Sequence, residues 1–129
     1  MLGYVTIGAT DQAKAVAFYD AVLGAIGYAR AFDKGGWAAY GPEGSDKQDI
    51  FIVSTTADGK PAHAGNGIMI ALKASSKAEV DAAHKAALKS GGADEGKPGP
   101  RPEGSKDFYG AYMRDPTGNK LCIFVKNAG

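Results

Sequence analysis

Residues 109–125 read YGAYMRDPTGNKLCIFV, and at the centre lies Asp115-Pro116-Thr117-Gly118-Asn119. This is a turn with a mechanism: Pro116 presets φ at the second turn position, and Gly118 supplies the positive φ that closes it. Alternating apolar runs flank it, which predicts a β-hairpin. In the second arm Leu121, Ile123 and Val125 point one way, and Lys120, Cys122 and Phe124 the other. One face must meet a helix layer. What the other face lines is the functional question.

The rest of the chain repeats one pattern. Residues 2–8 read as a strand, with Val5 and Ile7 on one side and Tyr4 and Thr6 on the other. Thr10 or Asp11 can cap a helix running to about Leu23, with Val16, Tyr19 and Leu23 on one face and Gly24 as its natural end. Residues 28–32, 37–40 and 49–53 read as three further strands, separated by the 34–36 turn and a polar loop over 41–47. A connector rich in Gly, Pro, Asp and Ala spans 55–66. The pattern then begins again. Residues 68–72 form a strand, and Ser76 and Glu79 make a capping box. A helix runs to about Ser90, with Val80, Ala83, His84, Ala87 and Leu88 on its buried stripe. Residues 93–95 read as a short strand, and 96–107 as a Pro/Gly-rich loop before the hairpin.

Composition narrows the function classes. A chain of 129 residues with 44% hydrophobic and 22% charged residues suits one globular domain. A net charge of +1 with no basic stripe argues against nucleic-acid binding. No apolar run approaches the roughly 20 residues a membrane span needs, so no membrane partner is expected. No secretory signal is apparent, and a single cysteine fits a reducing cytoplasm.

The Asp-Pro-Thr-Gly-Asn turn resembles the signature of the vicinal oxygen chelate superfamily, the glyoxalase, bleomycin-resistance and extradiol dioxygenase group. The opening is similar too: Tyr4-Val5-Thr6-Ile7, then Ala17-Phe18-Tyr19 and Val22-Leu23-Gly24. The resemblance covers nearly the whole chain and implies an α+β fold. Two βαβββ modules, about 1–55 and 67–129, would form a curved mixed sheet, a half-open barrel with helices on the outer face. It also implies a homodimer and an active site in the concavity. Whether the modules pair within one chain or across a swapped dimer stays open.

Relatives place one metal ligand, drawn from His, Glu and Gln, on each of four strands. The matching positions here are Tyr4, Phe51, Met69 and Cys122. Strand parity agrees, since each alternates with β-branched or Leu neighbours that would pack on the helices. Phe offers no donor, protonated Tyr is a poor ligand, and a Cys with a Met thioether favours soft ions. No metal or other cofactor is therefore expected. The cluster either plugs the hollow or lines an apolar pocket for a small organic ligand, with the Tyr4 hydroxyl and Cys122 thiol as polar points. Whether such a protein is also an enzyme stays undecided. The alternative is a metal-dependent glyoxalase-type lyase, isomerase or dioxygenase acting on a small metabolite.

Other residues frame that cavity. Thr6 and Phe124 share its parity, and Trp37 can stack on a flat ligand. Tyr112 and Arg114 share one face, opposite to Tyr109. Arg101 lies in a loop that is either a lid meeting an anionic ligand or plain solvated surface. His84 reads as a core histidine bonded to a backbone carbonyl, and Cys122 as an inert buried thiol. His63 reads as solvated, with a reach into the cavity as a replacement ligand the other possibility. Elemental analysis of purified protein should therefore find well below one equivalent of divalent metal. Stoichiometric Zn, Ni or Mn retained through dialysis would overturn this reading.

Overall fold

A computed structural model describes residues 1–126; the last three residues assigned to the second module lie outside the described residues. The first module runs β1 (Val5–Gly8), α1 (Gln12–Gly24), β2 (Tyr28–Lys34), β3 (Trp37–Pro42) and β4 (Ile50–Val53). The second repeats it as β5 (Met69–Lys73), α2 (Lys77–Lys89), β6 (Ala93–Pro100), β7 (Phe108–Arg114) and β8 (Lys120–Lys126). Their sheets have the orders β1-β4-β3-β2 and β5-β8-β7-β6. In each, the first strand pairs in parallel with the last and the remaining pairs are antiparallel. The result is an α+β fold with curved mixed sheets and no closed barrel.

Both helices form as their caps dictate. Asp11 accepts from the Lys14 amide, so Asp11 is the α1 cap. At α2, Ser76 accepts from the Glu79 amide, while the Glu79 carboxylate reaches the amide of Ser75, not that of Ser76. The reversal after α1 falls at Gly27, with φ of +87°, rather than at Gly24, which is still helical. Phe18, Tyr19, Val22 and Leu23 of α1 and Val80, Ala83 and Ala87 of α2 are fully buried. They pack on Ile52, Tyr40, Met113, Leu121 and Ile123 in one core on the helix side. Leu88, placed on the stripe by spacing, is 45% exposed, whereas its neighbour Ala87 is fully buried.

The turn at 115–119 joins the modules. Asp115 is 4% exposed, and its Oδ1 accepts from the amides of Thr117, Gly118 and Asn119 at 2.9 Å each. Its Oδ2 accepts from the Tyr19 hydroxyl of α1 at 2.6 Å and from the Asn119 amide group at 2.9 Å. Asn119 also donates to the Gly8 carbonyl at the end of β1, at 2.8 Å. The Asp115 carboxylate thus ties the second module's hairpin to the first module's helix, and Asn119 ties it to β1.

Sequence and structure part in the second module. β6 runs eight residues, through Gly96, Pro98 and Gly99, where composition suggests a loop. It is an edge strand with register shifts between Asp94 and Gly96 and between Gly96 and Gly99. An edge with bulges tolerates proline's missing N–H. His84, 7% exposed, pairs with the Asp94 carboxylate of β6 at 2.8 Å rather than with a backbone carbonyl.

Two expected outcomes follow from this core. Hydrogen bonds to charged groups contribute about 1.5–3 kcal/mol, so Tyr19→Phe should lower the unfolding free energy by that amount in urea titration. A loss below about 0.5 kcal/mol would remove the hub from the account. Burial, with Asp49 alongside, raises the Tyr28 hydroxyl to about 12, and burial and Asp20 raise that of Tyr40. Folded values above the unfolded value of 10.0 mean stability fully present below about pH 10 and lost as pH climbs towards and past 12. Tyr28→Phe/Tyr40→Phe should flatten that alkaline decline; an unchanged slope would assign it elsewhere.

Candidate functional site

The face turned away from the helices can be read from strand register. In the first module Thr6 lies beside Phe51, and Phe51 beside Ala39; Trp37 lies beside Val53. In the second, Met69 lies beside Lys120, Ala71 beside Cys122, and Tyr112 beside Cys122. Phe124 and Gly110, and Arg114 and Lys120, are paired on that same face. Paired residues of adjacent strands project to one side of a sheet. Tyr112 and Arg114 therefore share the open face, whereas Tyr109 turns to the helices and donates to Asp81 of α2 at 2.6 Å.

The first module supplies an aromatic trio. The Phe51 ring lies between Tyr4 and Trp37, edge-to-face with each, at centroid distances of 5.3 and 5.8 Å. Tyr4 is 62% exposed and Trp37 38%, and Met69 across the seam is 43% exposed. The bulky side chains therefore do not plug the hollow; they coat an open surface. Cys122 differs, being buried at 1% exposure and not a free polar point of the cavity. Burial pushes its thiol above the usual range, while the neighbouring Tyr112 hydroxyl, Arg101 and Lys120 pull less strongly the other way. Phe124 is occupied too, stacked on Phe108 at 5.3 Å.

The second module supplies charge. Arg101 lies 5.5 Å from the Tyr112 ring centroid, and the Lys120 ammonium 5.8 Å from it. Arg114 pairs with Glu95 at 2.7 Å and donates to the Gly118 carbonyl at 3.0 Å, which holds it at the hairpin end. Thr6, which is exposed, and Lys120 line one cavity of about 190 Å³ at the β1–β5 seam, together with His63 and Gly65 of the connector. Sequence reasoning missed how the connector gets there. It crosses the sheet at Gly8, where an added Cβ would meet the Ala62 methyl at 2.8 Å, so the glycine admits the crossing. His63 is exposed at the seam, with its ring beside the Ala64 carbonyl at 3.3 Å.

These donors do not fit a divalent ion. Of the four positions, Phe51 has no donor atom, Met69 offers a thioether, Tyr4 a phenol, and Cys122 a buried thiol held towards its protonated form. Among the described residues no group of three or more His, Cys, Asp or Glu side chains could hold a metal ion. What the face offers is an edge-to-face aromatic cluster on the first sheet and the Arg101 and Lys120 cations on the second.

The comparisons agree with this fold. The sequence model of the Glyoxalase/Bleomycin resistance protein/Dioxygenase superfamily matches residues 1–123. A glyoxalase/bleomycin resistance protein from Albidiferax ferrireducens T118 is 33% identical with a TM-score of 0.87, over 98% of this chain and 99% of that one. A glyoxalase-related enzyme from Fulvimarina pelagi is 19% identical with a TM-score of 0.72, over 98% and 88%. TnmS3, an antibiotic binding protein from Streptomyces sp. CB03234, is 21% identical with a TM-score of 0.64, over 98% and 95%. No curated protein matches the chain. No helix among the described residues is long and apolar enough to cross a membrane. With a family match spanning almost all of its length and a duplicated βαβββ architecture to go with it, the chain belongs to the glyoxalase/bleomycin resistance/dioxygenase superfamily.

Proposed function

We propose that this protein binds a small, partly apolar organic molecule on its open sheet face, with the family's metal ligands replaced. One observation carries the reading. The four ligand positions hold Tyr4, Phe51, Met69 and Cys122, and three of them form an exposed or half-buried surface with Trp37. Aromatic rings in edge-to-face array suit a flat partner, and a few polar groups at the edge would orient it. The site residues of this proposal are Tyr4, Thr6, Trp37, Phe51, Met69, Tyr112, Arg101 and Arg114, with Cys122 and Phe124 as packing beneath or beside them. A cytoplasmic homodimer is part of the same proposal. It is supported by the resemblance.

A metal-dependent lyase, isomerase or dioxygenase would need an ion to polarise a carbonyl or hold an enediolate. The donor set speaks against that. Nucleophilic catalysis by Cys122 would need a lowered thiol pKa, and burial moves it upward. TnmS3 is described as antibiotic binding. At 21% identity that supports a shared fold and leaves the ligand of this chain to experiment.

Thermal-shift screening against divalent metals, then against a panel of neutral and charged metabolites, tests the proposal. A ligand at 100 times its Kd adds about 2.7 kcal/mol of stability. Shifts from organic compounds alone, weakened at least tenfold in affinity by Phe51→Ala, are expected. A shift from divalent metal that Tyr4→Phe or Cys122→Ser removes would overturn it. In the same preparation Cys122 should resist a disulfide reagent at pH 8 until the protein is unfolded. Rapid reaction in the folded state would contradict its placement.

A further inference from the structure

We propose that the molecule bound on this face is an anion, an aromatic carboxylate whose charge sits between Arg101 and Lys120 against Tyr112. The proposal rests on the open-face reading above and adds the charge of the ligand.

The observations concern how Arg101 is held. Its side chain folds back along β6, donating to the Lys97 carbonyl at 2.7 Å and the Pro100 carbonyl at 3.1 Å. Two glycines make room for it. A Cβ at Gly99 would meet one terminal nitrogen of the guanidinium at 3.0 Å, and a Cβ at Gly96 would meet the other at 3.4 Å and the Tyr112 ring at 3.0 Å. The guanidinium is thereby fixed over the Tyr112 ring. A guanidinium carries five N–H donors in a planar fork. Two serve these carbonyls, and the remainder have no protein partner among the described residues.

Lys120 approaches the same ring. Neither Arg101 nor Lys120 forms an ion pair among the described residues. Glu95, whose carboxyl feels Lys120, is taken by Arg114 at 2.7 Å. Both cations lie within 6 Å of one ring centroid, so an anion bound at that ring would be attracted by both. A carboxylate matches the guanidinium fork. Met69, the register partner of Lys120, is 43% exposed and offers apolar surface beside it for the body of the same molecule.

Titration calorimetry with phenylacetate and its neutral amide, phenylacetamide, is the test. Phenylacetate should bind at least tenfold more tightly than the amide, and added salt should weaken it. Arg101→Gln and Lys120→Gln should each bring the ratio of phenylacetate to phenylacetamide affinity down towards one. The second variant stands if the first perturbs folding. Equal binding of acid and amide would overturn the charge assignment and leave an organic ligand on the face. Silence from both would also overturn it, while a thermal shift from any neutral metabolite would keep the parent reading standing.

Discussion

The carboxylate of Asp115 governs the architecture. It sits in the turn between β7 and β8, buried, with five donors around its two oxygens. A carboxylate out of water is costly unless each oxygen is satisfied. This one is satisfied by its own turn, by Tyr19 from the opposite module, and by Asn119, which is itself tied to β1. The hairpin cannot shift along β1 without leaving that charge unpaired. The seam between the modules is fixed by chemistry at one end, and the open face inherits its geometry from that seam.

This explains how the chain keeps the turn motif while the ligand position beside it holds a cysteine. Asp115, Gly118 and Asn119 belong to the joint between modules. Cys122, three residues beyond Asn119, belongs to the hollow. The joint is demanded by folding, and the hollow by whatever is bound. A chain can keep the first and exchange the second, and here the exchanged positions hold Tyr, Phe, Met and Cys. The fold then works as a frame that presents one curved surface, aromatic on the first sheet and cationic on the second.

Much of this was readable from sequence where physics is local. Strand parity placed Thr6, Phe51, Met69 and Tyr112 on one side, because a period of two needs only a correct strand assignment. The second helix's cap was plain in Ser76, and the first was narrowed to Thr10 or Asp11, of which Asp11 is the cap. What was hidden depends on partners far along the chain. Residues 96–100 look like a loop, since proline and glycine are poor strand formers; only the edge position and bulges of β6 reconcile them. The glycines at 96 and 99 gain their meaning from the Arg101 guanidinium lying on them. Gly8 gains its meaning from Ala62, more than fifty residues later. His84 found a carboxylate that spacing along its own helix could not reveal. Cys122 has the right parity for the hollow, yet its neighbours cover it.

The account stands on the chemistry of four side chains around one hollow. The most direct measurement is an anomalous difference map from crystals grown with excess Mn²⁺ or Ni²⁺. The expected result is no peak within coordinating distance of Tyr4, Phe51, Met69 and Cys122. A strong peak there with three or more protein ligands would contradict it.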